Sequence, residues 1–279
     1  WTKDDATHLR LKVEFSGVDL AGFDFAGATQ RMTGAVLDVT DPRALTAGPA
    51  DPERLRYLQP ETLIESDDPE IVEQARRIVG GATDARTKAE RLVRDVNAML
   101  DKKPTVSLPS AKEVLRTKVG DCNEHTALYV ALARAAGLPA RINVGLAMVR
   151  GAFYYHAWPE VWIDDGPSRG YWLPVDPTFN QFPADATHLR LLRGGRPTVV
   201  VLDVDLPGVD GHAILERIGV ERPDGFLIVV LSSHADESVQ VRSLLAGALD
   251  HLAKPFNVRV LMAKLQRWVR IARHYEVAA

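Results

Sequence analysis

The sequence of 279 residues predicts an α+β fold followed by a small α/β segment of βαβ type, for three reasons. Residues 1–40 alternate apolar and polar side chains, as strands of an antiparallel sheet with one solvated face do. Helical periodicity then covers about 68–137, and strand patterns return from Pro139. After Gly194-Gly195, continuous apolar runs separated by helical stretches predict parallel strands that are covered on both faces.

This pattern predicts three parts, because 279 residues is long for one compact domain. They are a β-rich N-terminal region and connector (1–62), a helix-and-sheet core (63–195) and an α/β segment (196–279). The heptapeptide DATHLRL occurs twice, at 5–11 and at 185–191. Two distant copies do not form the regular period of a repeat protein, and the sequence offers no reason for the duplication.

Composition limits the classes of function. A net charge of −3 and a pI near 6.3 give no electrostatic basis for binding nucleic acid. No apolar run approaches the ~18 residues of a membrane span. The single cysteine cannot form an intramolecular disulfide, which favours a reducing compartment, and we expect a cytoplasmic protein. Since the sequence begins at Trp1 rather than Met, processing of the N terminus stays open.

The individual elements follow from local patterns. Leu9, Leu11, Val13 and Phe15 alternate with polar residues and predict the first strand. Residues 41–62 are proline-containing and without clear periodicity, which predicts a connector that wraps around the core.

Helix signals begin near residue 68. Asp67 or Asp68 can cap a first helix, with Pro69 in its first turn and Gly80-Gly81 as its stop. A second helix at about 84–101 would bury one face, formed by Ala89, Leu92, Val93, Val96 and Leu100. A third would begin with a capping box of Ser110 and Glu113, and a fourth would run from Cys122 to Gly137.

The candidate chemistry centres on Cys122, which stands in GDCNEH at the start of the fourth helix. Asp121 can cap that helix, so Cys122 falls in its first turn, where unpaired backbone N–H groups favour a thiolate and could bind an oxyanion. A lowered thiol pKa is therefore expected, although the charge of Asp121 opposes it.

Two partners for the thiol follow in the chain. His156 lies within a predicted strand and Asp176 at the end of the next one, with the turn DDGPSRG between them. A hairpin would place the two side chains on neighbouring strands, where the carboxylate could fix the imidazole tautomer.

Other interpretations of these residues remain open. Cys122 could be a small buried residue, and His156 a hydrogen-bonded core group. Cys122 and His125 are three positions apart on a helix, but a metal site would need further ligands, and no metal or other cofactor is expected.

Three segments, VGDCNEHTALYVALARAAGLPAR, FYYHAWPEVWI and WLPVDPTFNQFPADATHLRL, resemble the bacterial transglutaminase-like domain, a branch of the papain-like cysteine enzymes. The resemblance covers about residues 5–195. It implies that Cys122 is the nucleophile, His156 the general base and acid, and Asp176 the orienting group. It also implies a thioester acyl-enzyme formed from an amide or ester, and a protein or peptide as substrate. The closing strands expected after DATHLRLLRGG are missing from the sequence pattern.

Residues 197–276 resemble the later half of a response-regulator receiver domain. Position by position, Asp203 matches the phosphoacceptor, Ser232 the hydroxyl residue, and Lys254 the lysine that meets the phosphoryl group. The first strand of that family, with the acidic pair that helps to hold Mg²⁺, has no counterpart here, so efficient phosphorylation of Asp203 is not expected. The strand at 199–203 would have an unpaired edge, which makes a homo-oligomer possible.

The sequence thus predicts a transglutaminase-like cysteine protease, amidohydrolase or acyltransferase with an incomplete receiver-like segment. Two alternatives stay open: a non-catalytic binding module on the same scaffold, and a phosphorelay signalling protein that uses the receiver-like segment.

Overall fold

A computed structural model gives the fold of the chain. It describes residues 6–13, 23–61, 63–103, 110–194, 199–205, 212–213, 215–216, 227–234, 236–255, 264 and 267–268. The predicted Phe15 strand position lies outside them.

The chain divides into two compact units. The first comprises Trp1–Glu14 and Phe23–Gly195, and the second comprises Phe15–Gly22 and Arg196–Ala279. Among the described residues, no helix has the length and apolar character needed to cross a membrane.

The first unit begins with the predicted antiparallel sheet. Its strands are β1 (His8–Lys12), β2 (Gln30–Thr33) and β3 (Val36–Thr40), in the order β1-β3-β2. Leu9, Leu37 and Val39 are buried on one face, as the alternation of apolar residues requires.

Four helices form one side of the core: α1 (Pro69–Val79), α2 (Ala85–Met99), α3 (Ala111–Thr117) and α4 (Cys122–Ala135). Asp68 caps α1 by accepting the Glu70 N–H at 2.9 Å, and the helix ends at Gly80 as predicted. Ser110 caps α3 by accepting the Glu113 N–H, which is one half of the predicted capping box, and the Glu113 carboxylate also pairs with Arg116.

Helix α4 is the centre of this core. Its residues from Glu124 to Arg134 are all buried, because α1, α2, α3 and a β-sheet cover it on every side. The predicted apolar face of α2 packs in the same cluster, with each member at most 4% exposed: Ala89, Leu92, Val93, Val96 and Leu100. Near these helices, the two-residue strands β5 (Asp101–Lys102) and β6 (Val119–Gly120) pair in parallel.

A five-stranded antiparallel sheet forms the other side of the core. Its long strands are β7 (Ala140–Val149), β8 (Ala152–Asp164) and β9 (Arg169–Pro174), and β10 (His188–Gly194) lies at one edge beside β7. The segment DATHLRLLRGG thus contributes a strand to the sheet, and the absence of closing strands after it stays a prediction. The turn between β8 and β9 makes the predicted hairpin.

The connector is less irregular than its sequence suggests. It contains two short 3-10 helices, Pro42–Ala44 and Arg54–Leu58, and the two-residue strand β4 (Gly48–Pro49). Strand β4 pairs with β9 and so forms the second edge of the five-stranded sheet. A glycine-proline strand of two residues has no periodicity, and only its tertiary pairing defines it.

Charged side chains join three strands of this sheet. Glu160 of β8 is 3% exposed and accepts hydrogen bonds from Arg141 of β7 at 3.0 Å and Arg190 of β10 at 3.3 Å. These cations lower the pKa of the Glu160 carboxyl, although burial alone would raise it. Removing one partner of such a buried group leaves an uncompensated charge, so the network fixes how β7, β8 and β10 align.

The second unit contains a three-stranded parallel sheet in the described residues. Its strands are β11 (Val199–Asp203), β12 (Leu227–Ser232) and β13 (Asp250–Ala253), in that order, and helix α5 (Glu237–Leu245) precedes β13. Within this described part, β11 pairs on one side only, as predicted. Association of two chains through that edge stays a prediction.

Gly145 offers a test of the sheet. It pairs with His156 on one side and Arg190 on the other, and a Cβ at this position would lie 1.9 Å from the Leu189 carbonyl oxygen. Because backbone would have to move, Gly145→Ala should lower the free energy of unfolding by about 1–3 kcal/mol. Urea denaturation followed by tryptophan fluorescence measures this change.

The matched control is Gly48→Ala in β4, where an added Cβ meets nothing within 4 Å. We expect that variant to stay within about 0.5 kcal/mol of the parent. Equal stability of the two variants would show that β10 does not approach β7 as closely as described.

Candidate functional site

The thiol of Cys122 lies at the first position of α4, where a capping box fixes the chain. The Asp121 carboxylate accepts the N–H groups of Asn123 and Glu124, and the Glu124 carboxylate accepts the Asp121 N–H at 2.9 Å. Gly120 permits this arrangement, because a Cβ there would lie 2.2 Å from the Glu124 side chain. The sequence GDCNE thus holds Cys122 in one orientation at the helix start.

The first turns of α4 are bonded to β8 at the two residues that flank His156. The Ala157 N–H donates to the Cys122 thiol. The Thr126 hydroxyl donates to the Ala157 carbonyl at 3.1 Å, and the Tyr155 hydroxyl donates to the Asn123 side chain at 3.0 Å. Helix and strand are therefore tied together where the thiol and the imidazole lie.

His156 and Asp176 are in direct contact, as the predicted hairpin requires. The His156 Nε2 lies 2.8 Å from Asp176 Oδ2, with His156 4% exposed and Asp176 fully buried. Since a carboxylate only accepts, Nε2 carries the hydrogen of the neutral ring, and Nδ1 is left as the basic nitrogen. The ring of His156 also stacks on Phe179, with centroids 4.5 Å apart and planes inclined by 6°.

A turn after β9 holds Asp176. Its backbone exchanges two hydrogen bonds with Gln181, at 3.0 and 2.8 Å, and its Oδ1 accepts the Phe179 N–H at 2.9 Å. The same turn therefore supplies the carboxylate and the aromatic ring that stacks on His156.

A second histidine, His188 of β10, completes this cluster and was missed by the sequence analysis. Its Nε2 lies 3.0 Å from Asp176 Oδ2, the oxygen that also receives His156, and its Nδ1 lies 3.2 Å from the Asp185 carbonyl oxygen and 3.3 Å from Asp185 Oδ1. The side chain of His188 is 3% exposed. Burial alone would raise the pKa of Asp176, but the hydrogen bonds from both histidines outweigh it and hold that pKa well below its usual range.

The pKa of the Cys122 thiol differs from the value expected at a helix start. Burial raises the pKa of Cys122 to about 11, and the hydrogen bond from the Ala157 N–H offsets this only in part. The carboxylates of Asp121, Asp176 and Glu124 act in the same direction as burial. The prediction of a lowered thiol pKa from the helix start is therefore wrong, because desolvation and three nearby carboxylates exceed the effect of the helix dipole.

Among the described residues, one group of side chains has ligand atoms close enough to share a metal ion, and its members are hydrogen-bonded to one another. His125 is fully buried, and its Nδ1 lies 2.6 Å from the Asp121 carbonyl oxygen, so it serves the first turn of α4 rather than a site shared with Cys122. Ligand atoms of His156, Asp176 and His188 lie within 4.8 Å of one another. Their 2.8 and 3.0 Å separations are N–H···O distances, and each is satisfied as a hydrogen bond.

In the second unit, two of the expected receiver-like residues, Ser232 and Lys254, contact the carboxylate of Asp205. The hydroxyl of Ser232 lies 3.3 Å from Asp205 Oδ1, and Lys254 Nζ lies 3.9 Å from Asp205 Oδ2. The Ser233 N–H also donates to Asp205 and, as the main cause, lowers the pKa of that carboxyl to about 2. The side chain of Asp203 lies outside the described part of the chain.

The sequence carries a local signal for the start of α4 but none for His188. The capping box of Asp121 and Glu124 has the same three-residue spacing that was assigned to Ser110 and Glu113. The repeated DATHLRL contains His188, but nothing local distinguishes it from His8 in the first copy.

Two known protein families match this chain, one in its first part and one in its second. The Transglutaminase-like superfamily matches residues 72–177, and the Response regulator receiver domain matches residues 178–266. The second match begins before β10, so its first part coincides with residues that belong to the sheet of the first unit.

Individual proteins are similar over part of the chain. The transcriptional regulatory protein AfsQ1 of Streptomyces coelicolor is 42% identical over 82 residues, which is 29% of this chain and 36% of AfsQ1. The DNA-binding transcriptional regulator NtrC of Escherichia coli is 29% identical over 122 residues, covering 42% of this chain and 25% of NtrC. The chain thus spans only about a quarter to a third of the length of these relatives.

Among solved structures, a candidate cysteine protease from Cytophaga hutchinsonii is similar in structure. The aligned part is 57% of this chain and 56% of that protein's chain, with 22% sequence identity and a TM-score of 0.47. The response regulator DrrB of Thermotoga maritima covers 26% of this chain and 33% of its own, with 34% identity and a TM-score of 0.24. Together with the two family matches, the fold and the residues described above lead to one conclusion: the chain carries a transglutaminase-like domain followed by a response regulator receiver domain.

Proposed function

We propose that the first unit is a thiol enzyme that cleaves or transfers the acyl group of an amide or ester, with a protein or peptide as substrate. Cys122 is the nucleophile, His156 the general base and acid, and Asp176 the group that orients His156. The observation that carries this proposal is the buried 2.8 Å contact of His156 with Asp176, next to the helix turn that bears the cysteine.

The protonation of His156 supports the role of a base. With Nε2–H held by Asp176, the lone pair on Nδ1 accepts the thiol proton as sulfur attacks the substrate carbonyl carbon. The carbonyl electron pair moves to oxygen and returns when the leaving amine or alcohol departs, taking the proton from His156. The product is a thioester on Cys122, which water hydrolyses or a second amine takes over.

The start of α4 narrows the choice of oxyanion donor. The N–H groups of Asn123 and Glu124 donate to the Asp121 carboxylate, and that of His125 donates to the Asp121 carbonyl oxygen. The backbone N–H of Cys122 itself is therefore the donor that we assign to the developing oxyanion at this helix end.

The two exposed aromatic side chains beside His156, Tyr154 and Tyr155, are each 58% exposed and offer contacts for a peptide on the same strand.

Substitution of Asp176 tests whether the first unit is an enzyme or a non-catalytic binding module. Asp176→Asn removes the carboxylate that selects the His156 tautomer, and we expect turnover of a small ester or peptide to fall about 10- to 1000-fold with binding little changed. A serine triad loses more, about 10⁴-fold, because there the nucleophile is less acidic. Cys122→Ala should abolish turnover.

The control is Asp38→Asn, which removes an exposed carboxylate that also lies beside a histidine, His8, at 3.3 Å. It should leave turnover unchanged. All variants are compared at equal folded fraction by circular dichroism. If Cys122→Ala retains parental turnover, the enzyme proposal fails and the binding module replaces it; if only Asp176→Asn is neutral, the mechanism reduces to Cys122 and His156.

Phosphorelay through the second unit stays the alternative function. The sequence has no counterpart of the first receiver strand, whose acidic pair helps to hold Mg²⁺. We therefore expect acetyl phosphate with Mg²⁺ to give little aspartyl phosphate at Asp203, as measured by intact-protein mass spectrometry. Stoichiometric labelling that disappears in Asp203→Asn would contradict this and support the signalling alternative.

A further inference from the structure

His188 occupies a position that the mechanism above does not use. It lies on β10, two strands away from His156, with a side chain 3% exposed. Its ring is 5.6 Å from the His156 ring, centroid to centroid, and packs edge-on against Trp158 at 5.1 Å. Both histidines reach the same oxygen of Asp176, at 2.8 and 3.0 Å.

The hydrogen-bond partners define the protonation of His188. Its Nε2 faces the Asp176 carboxylate, and its Nδ1 faces the carbonyl and carboxylate oxygens of Asp185. All these partners are acceptors, so each ring nitrogen must carry a hydrogen for its contact to be a hydrogen bond. The ring is then an imidazolium, in contact with two carboxylates.

We propose that His188 is a positioning residue for the thiol site: as an imidazolium it fixes Asp176 and limits the formation of a thiolate–imidazolium pair between Cys122 and His156. This inference rests on the proposed function, since it assigns His188 a role in the chemistry of Cys122.

The physical reason is the sharing of one carboxylate by two rings. In an ordinary triad the aspartate charge favours protonation of the catalytic histidine. Here His188 already carries a proton and a positive charge beside the same carboxylate. A second positive ring 5.6 Å away is disfavoured by like-charge repulsion, and the low dielectric of the buried cluster strengthens this. This arrangement therefore opposes transfer of the thiol proton from Cys122 to His156 in the resting protein.

The other charged groups near His188 are paired among themselves. Glu160 and Arg190 line a small gap together with His188 and Asp185, and Glu160 pairs with both Arg190 and Arg141. Asp176 and Asp185 are the carboxylates in contact with the ring.

The electrostatics of the cluster agree with this arrangement. Burial alone would lower the pKa of His188, but its hydrogen bonds to Asp176 and Asp185 raise it to about 9. The pKa of Cys122 is raised to about 11, chiefly by burial. At neutral pH both values correspond to a charged His188 and an uncharged thiol.

The test is the pH dependence of Cys122 alkylation by iodoacetamide, which needs no substrate. His188→Gln removes the positive charge but keeps an amide N–H that can donate to Asp176. We expect the midpoint of the alkylation profile to move down by about one pH unit, and the rate at pH 7 to rise about three- to tenfold. Because Cys122 is the single cysteine, mass spectrometry follows the reaction without ambiguity.

The chain provides a matched control in the first copy of DATHLRL. His8 of β1 has the same neighbours in sequence, but its side chain is 53% exposed and lies 3.3 Å from Asp38. His8→Gln should leave the alkylation profile unchanged.

A midpoint in His188→Gln that is unchanged or higher, with folding intact, overturns the proposal, since a purely structural role predicts that result. If His188→Gln does not fold, Asp185→Asn decides: it weakens the hold on the imidazolium and should move the midpoint in the same direction by a smaller amount, whereas no movement overturns the proposal. The proposed function fails separately, through parental turnover in Cys122→Ala.

Discussion

The carboxylate of Asp176 is the constraint on which the site depends. It is fully buried, and a buried charge is tolerated only when donors surround it. Its donors are His156, His188 and the Phe179 N–H, and they come from β8, from β10 and from the turn after β9. The carboxylate therefore requires three separate parts of the sheet to be in place, and the site forms only when the sheet does.

Much of the helical part could be predicted because its signals are local. Asp68, Pro69 and Gly80 delimit α1 through contacts within a few residues, and they do so whatever packs on the helix. The contact of His156 with Asp176 was also predictable, since a short turn between two strands leaves few alternatives to a hairpin. The receiver-like positions Ser232 and Lys254 come together as well, and both contact Asp205.

The two copies of DATHLRL show why the rest could not be predicted. In β1, His8 and Arg10 are exposed and lie beside Asp38. In β10, the equivalent His188 and Arg190 are buried and contact Asp176 and Glu160. The same histidine and arginine thus lie on the exposed face of a strand in one copy and in the buried candidate site in the other. The difference lies in which strands pair with each copy, and that is a tertiary property.

The raised pKa of Cys122 affects how the proposed reaction must proceed. Burial and the nearby carboxylates raise the pKa of the Cys122 thiol to about 11, which disfavours a standing thiolate at neutral pH. In the proposed reaction the proton moves to His156 as the bond to substrate forms, so the rate would depend on how well the ring is oriented. The hydrogen bond to Asp176 and the stacking on Phe179 fix that orientation from two directions. Burial that makes the thiol unreactive at rest thus also supplies the packing that positions its base.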